Sequence, residues 1–327
     1  MNLYEHQAAN RRRTWLVMII FVGLVLVLGL GFDTASFSAQ GVFIPIGTVA
    51  ALLYGGGTAT YSYFNGDRAV LASSKAVDLE TAIAEAPARV ELRQFQNVVD
   101  EMAIAAGLPR PKAFVVADAD ANAFATGRDP EHASIVVTEG LLKTLNREQL
   151  QGVVAHEMSH IRNYDIRVMT LVAALVGAVA LLSDWAARGW RYGAFSGRGG
   201  GGSRSGGSKK GGGAMILVGL VVWLVAILVA PLVARLLATT VSRKREFLAD
   251  ATAAELTRNP GALADALEII EAQATPTIAV KQGSAHLCIA DPLGRPVNEK
   301  SGFWSDLFAT HPPMRERIAA LRGMAFQ

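Results

Sequence analysis

Apolar residues are distributed along the chain in two ways. Long, nearly uncharged runs cover residues 15–32, 41–64, 166–182 and 214–238, and the segments between them mix apolar and polar positions at helical or strand spacing. The first run contains no charge and follows Arg11, Arg12 and Arg13. A cleaved signal sequence has an apolar core of only about 7–15 residues. This run is longer and a second one follows it, so it reads as a membrane anchor. The second run holds Pro45 and Gly55, Gly56 and Gly57, which spanning helices tolerate better than soluble ones. The third is marginal in length and has Arg167 near its start, whereas the fourth is long enough to span.

Between the runs the pattern is that of a soluble α+β unit. Residues 68–106 read as helical, with Val90, Leu92, Phe95, Val98, Val99 and Met102 recurring close to one helix face. Gly107, Pro109 and Pro111 end that helix. Residues 112–117, 121–125 and 134–138 read as short strands, the last two separated by a turn at residues 127–130. Asn146 is a helix N-cap with Glu148 in the first turn. Residues 242–250 and 261–273 are further helices, residues 275–305 are irregular, and a short helix closes the chain at about Leu321. The expected fold is α+β and mainly helical, with a small sheet and about four transmembrane or membrane-embedded helices. It divides into two N-terminal spans (1–66), a first soluble segment (67–165), a hydrophobic hairpin (166–238) and a second soluble segment (239–327).

Composition supports the membrane reading: 51% of residues are hydrophobic and only 18% charged. The net charge of +3 lies largely beside the apolar runs or in residues 197–213, which are almost wholly Gly, Ser, Arg and Lys. Basic residues so placed suit anionic lipid headgroups. Residues 197–213 hold no aromatic side chain for base stacking and lack the strand and helix that frame a phosphate loop, so no nucleic-acid partner is expected. The single cysteine, Cys288, excludes an intrachain disulfide and a zinc site built from thiolates. Arg11, Arg12 and Arg13 before the first run, with Arg68 and Lys75 after the second, place the N-terminus and the soluble part in the cytoplasm. The basic residues between the third and fourth runs oppose that rule if the hairpin crosses fully, and agree with it if the hairpin stays embedded.

One cluster carries chemistry. His156 and His160 are four residues apart, which on a helix sets both imidazoles on one face where they can bind a single ion. Glu157 lies between them, suited to accept a proton from water acidified by that ion. A catalytic zinc needs a third protein ligand. Glu246 is a candidate because Asp250 follows it one turn later and could orient a zinc-bound imidazole from behind. Glu246 could equally be a surface carboxylate paired with Lys244 or Arg243, and Asp165 is a competing carboxylate.

His156-Glu-Met-Ser-His160 followed by an apolar hairpin, then residues 242–250 (Ser-Arg-Lys-Arg-Glu-Phe-Leu-Ala-Asp), then residues 308–313 (Phe-Ala-Thr-His-Pro-Pro), resembles the HtpX-type membrane metallopeptidases. These are relatives of the CaaX-prenyl endopeptidases and the mitochondrial Oma-type proteases. Residues 122–127 (Asn-Ala-Phe-Ala-Thr-Gly) and the opening Asn2-Leu3-Tyr4 also match, so the resemblance covers nearly the whole chain. It departs at the 197–213 insert. The resemblance implies a zincin-like catalytic domain, one Zn2+ per chain with Glu246 as third ligand, and endoproteolytic quality control of membrane or misfolded proteins. It further implies an integral protein of the bacterial cytoplasmic (inner) membrane. A catalytically inactive scaffold of the same fold is the alternative, and the retention of all four residues speaks against it. Two further roles are expected. Asn122, Ala123, Phe124 and Ala125 form an edge strand that holds the substrate extended. His311, with Arg315 as second choice, donates to the charge developing on the attacked carbonyl. The sequence carries no sign of oligomeric state.

Overall fold

The structure, a computed structural model, describes residues 3–40, 42, 44–191, 243–273, 287–290 and 313–325. The chain divides into two packing units. One gathers Met1–Thr14, Ser62–Ala174 and Leu237–Gln327, the other Trp15–Tyr61 and Leu175–Leu236. The fourth apolar run and the 197–213 insert lie outside the described residues.

Two long helices open the chain, α1 (Leu3–Gln40) and α2 (Ile46–Ser73). Within α1, Gln7–Thr34 is, among the described residues, the one helical stretch long and apolar enough to cross a membrane. The carboxylate of Asp33 ties α1 to α2 within the second unit. It accepts from the Gly47 and Thr48 amides and the Thr48 hydroxyl, each at 2.7 Å. Three donors satisfy a charge that would otherwise be costly in an apolar setting. α2 runs on beyond the apolar segment, with a non-helical residue at Asn65.

Residues 68–106, which read as one helical stretch, break twice. After α2 the chain turns through Lys75 at φ 54° into β1 (Val77–Asp78), α3 (Leu79–Glu85) and α4 (Val90–Ala106). Asp78 caps α3 by accepting from Glu80 and Thr81. A two-residue strand has no periodicity to detect, so its existence depends wholly on pairing with β2 (Lys112–Val116). α4 ends at Gly107, whose φ of 64° is the left-handed turn that glycine adopts without a Cβ clash.

The sheet has four strands in the order β1-β2-β4-β3, with β3 (Ala123–Gly127) and β4 (Ala133–Thr138) as an antiparallel pair. β2 and β4 are parallel, with Phe114 opposite Val136, so the sheet is mixed. All six residues of β4 are buried, as befits a strand covered on both faces. After the short α5 (Glu139–Thr144), α6 (Arg147–Arg162) begins with a capping box: Asn146 accepts from the Gln149 amide, and the Gln149 side chain accepts from the Asn146 amide. From Gly152 to Ile161 every residue of α6 is buried, which makes it the central helix of the unit. α7 (Asp165–Arg191), α8 (Arg243–Thr257), α9 (Pro260–Ala272) and α10 (Met314–Ala325) complete the described elements. Gly152 lets α9 approach closely, since a Cβ there would stand 3.0 Å from Leu263 Cα.

Candidate metal centre

α6 carries His156 and His160 one turn apart, their Nε2 atoms 3.2 Å from each other and their ring planes at 88°. Glu246, in the first turn of α8, meets them from the other side. Its Oε2 is 3.6 Å from His156 Nε2 and its Oε1 3.6 Å from His160 Nε2. All three side chains are buried, and their ligand atoms lie within 4.8 Å of one another. A tetrahedral zinc with bonds of about 2.0–2.1 Å sets its ligand atoms about 3.4 Å apart. Spacings of 3.2, 3.6 and 3.6 Å between two imidazole nitrogens and a carboxylate fit that requirement in both size and donor chemistry.

Each histidine is held from behind by a carboxylate. Asp250 Oδ1 lies 2.9 Å from His156 Nδ1, and Asp165 Oδ2 lies 3.2 Å from His160 Nδ1. With Nδ1 donating to these carboxylates, both imidazoles turn Nε2 towards Glu246 and the space between them, as metal-binding histidines do. Asp250 is in turn gripped by Arg317, which has no exposed surface. Arg317 donates through Nε at 2.8 Å and Nη2 at 2.7 Å, and its Nη1 stands 3.4 Å from Glu246 Oε2. Arg245 stands beside Asp165, Nε to Oδ1 at 3.3 Å.

Burial acts strongly on these charges. It pushes Asp250 up, but the charge and hydrogen bonds of Arg317 outweigh it and hold the carboxyl down to about 2. Burial pushes His156 down, but its bonds to Asp250 and Glu246 raise it to about 9 when no metal competes. Glu157, 1% exposed, is pushed up by burial against the opposing pull of the two histidines. Burial lowers Arg245, an effect that the Asp165 charge opposes. Around the candidate centre, four buried carboxylates (Glu157, Asp165, Glu246 and Asp250) stand against two buried guanidiniums (Arg245 and Arg317). With the imidazoles neutral and the four carboxylates ionised, two negative charges are left uncompensated, which suits a divalent cation.

Replacing Arg317 by Met is expected to lower the unfolding free energy of the metal-free protein by about 3 kcal/mol, because it strips the buried Asp250 carboxylate of both guanidinium bonds and leaves it only His156. Asp250's folded pKa of about 2 lies below its ordinary 3.8. The pair's contribution is therefore fully present above pH 3.8 and is lost as the pH falls towards 2. The deficit of the variant should narrow over that window in denaturant melts. A pH-independent deficit would assign the loss to packing alone.

Other sequence-predicted residues are placed as follows. β3 is an edge strand that begins at Ala123, one residue after Asn122, and all of residues 122–127 are buried. Asn122 pairs with Thr138 through its backbone and donates its side-chain amide to Ala290 O at 3.1 Å. On the outer edge, Ala123 O accepts from Ile289 N–H at 2.9 Å and Gly127 N–H donates to Thr170 Oγ1 at 2.9 Å. His311 lies outside the described residues. Arg315 is exposed, and the arginine at the site is Arg317, two positions on and on the opposite face of α10. The spacing of charges along that helix does not reveal which of the two turns inward.

Two histidines of one helix and a glutamate of another, closed around a space of zinc-ligand size, define a metallopeptidase type of site. Peptidase family M48 matches residues 90–325, and the chain belongs to that family. It is thus a metallopeptidase, a hydrolase that acts on protein substrates. A protease HtpX homolog from Thermoanaerobacter pseudethanolicus is 39% identical over 322 residues, covering 98% of each chain. Another from Tropheryma whipplei is 38% identical over 325 residues, covering 99% of each. Among solved structures, S. mikatae Ste24p aligns over 97% of this chain and 67% of its own, at 16% identity and a TM-score of 0.44.

Proposed function

We propose that the chain is an integral-membrane zinc endopeptidase acting on membrane or misfolded proteins, with His156, His160 and Glu246 as ligands of a single zinc ion. The observation that carries this is the closure of the three buried donors at 3.2, 3.6 and 3.6 Å. Zinc held there supplies a Lewis acid that polarises the scissile carbonyl and acidifies water. Glu157 takes the proton of the attacking water and delivers it to the departing amine. Asp250 and Asp165 hold the imidazoles in their Nδ1–H form. Residues 122–125 dock the substrate in extended form along β3. This is supported by the Ile289 amide, which already bonds to Ala123 O as an added strand would, and substrate must displace it. His311, six positions ahead of Arg317, supplies a donor to the developing charge.

The division at 1–66, 67–165, 166–238 and 239–327, with about four membrane-embedded helices, belongs to the same reading. So does a catalytic part facing the cytoplasm from a bacterial inner membrane. It is supported by the Gln7–Thr34 stretch, whose apolar part follows Arg11, Arg12 and Arg13 near its start.

Purified in detergent, the protein should cleave an unstructured protein substrate, lose that activity on chelation and regain it with zinc. Metal analysis should give one zinc per chain. Cleavage that survives complete metal removal would overturn the reading.

A further inference from the structure

We propose that Asn10, on the N-terminal helix α1, is a positioning residue of the metal centre that fixes Asp165 and, through it, His160. The inference rests on the reading of His160 as a zinc ligand.

Asn10 is only 3% exposed, an unusual burial for an amide five residues ahead of a long apolar run. Both of its Nδ2 protons are engaged. One goes to the backbone carbonyl of Asn163 at 2.8 Å, the other to Asp165 Oδ1 at 2.8 Å. These acceptors flank Tyr164, whose φ of 59° is a left-handed conformation that costs energy for any residue with a Cβ. Asn10 thus clamps the strained link between the end of α6 and the start of α7, directly after the zinc-bearing turn.

The carboxylate of Asp165 is 1% exposed, so each oxygen needs a donor. Oδ2 accepts from His160 Nδ1 at 3.2 Å. Oδ1 has Asn10 at 2.8 Å and Arg245 at the longer distance of 3.3 Å. Without the amide, the nearest remaining donor to Oδ1 is a cation on a different helix. The carboxylate then swings towards Arg245, and Oδ2 leaves His160. A neutral donor suits the position because an aspartate there would set a second negative charge against Asp165, and a lysine would compete with Arg245. Asn10 therefore makes the orientation of His160 depend on the same helix that carries the first apolar run.

The test uses the full chain in detergent and reads the metal directly. Zinc affinity is measured by chelator competition, and ligand geometry by the visible absorption of the cobalt-substituted protein. Asn10→Leu keeps the branching and the number of side-chain heavy atoms and removes both donors. Gln7→Ala is the control, since Gln7 also donates across to this turn, to Arg162 O at 3.1 Å, without bonding to Asp165. Asn10→Leu should weaken zinc binding about 10-fold, the lower end of the range for partners behind a ligand, and should shift the cobalt bands. Gln7→Ala should leave both at the wild-type value. Wild-type affinity and spectrum in folded Asn10→Leu would overturn the proposal, as would an equal loss in Gln7→Ala. Should Asn10→Leu fail to fold, Asn10→Ser measured alone and with Asp165→Asn decides the matter. A relay makes the two losses non-additive, and full additivity overturns it. The underlying reading is checked separately with His160→Ala, which must lose the zinc that the wild type holds.

Discussion

Glu157→Gln is expected to lower kcat by on the order of 10^3–10^4-fold while leaving one zinc bound, the upper end of what a positioned proton acceptor contributes. The argument starts from position. Glu157 shares α6 with His156 and His160, but the donor atoms that could hold a metal ion together are theirs and Glu246's. Burial raises its carboxyl above the ordinary carboxylate range, countered by the pull of the two histidines, which makes it a stronger proton acceptor than an exposed glutamate. Glutamine preserves the shape and the packing of a 1% exposed side chain and removes only the proton acceptor. It also removes one negative charge from a site with two in excess, which should weaken zinc binding slightly without abolishing it. Loss of the metal, or turnover at the wild-type rate, would remove Glu157 from the role of base.

Glu246→Ala is expected to act on the metal itself, weakening zinc binding by on the order of 10^3-fold. This exceeds the roughly 10–100-fold expected for Asp250→Ala, because a partner behind a ligand orients it whereas Glu246 would supply a bond. With the carboxylate gone, His156 and His160 offer two nitrogens 3.2 Å apart, and among the described residues no third ligand completes the group. The fold should survive better than in Arg317→Met. Arg317 keeps its paired bonds to Asp250 at 2.7 and 2.8 Å and its bond to Ile289 O at 3.3 Å, so no buried charge is stranded. Chelator competition on both variants gives the order. Zinc held with unchanged affinity in Glu246→Ala, or ligated by Asp165 in its place, would refute the ligand set.

What the sequence determined by itself is what repeats over one or two helical turns. The four-residue spacing puts His156 above His160, and the same spacing puts Glu246 above Asp250. Both statements need only 3.6 residues per turn. Asn146 as the cap of α6 and the left-handed stop at Gly107 are likewise local, as are β2, β3 and β4, whose ends shift by one or two residues. The tertiary structure decided which of these pieces face one another. β1 exists only because Val77 and Asp78 lie against Val115 and Phe114, a pairing that two residues cannot announce. Arg317 rather than Arg315 enters the site because α10 packs with one face inward, and the choice of face lies in its neighbours. Asn10 and Asp165 meet across 155 positions of chain. From the sequence Asn10 looks like an ordinary surface polar residue and Asp165 like a rival ligand, until packing removes the water around them. A buried carboxylate must then find its donors inside the protein, and only the folded chain determines which ones are within reach.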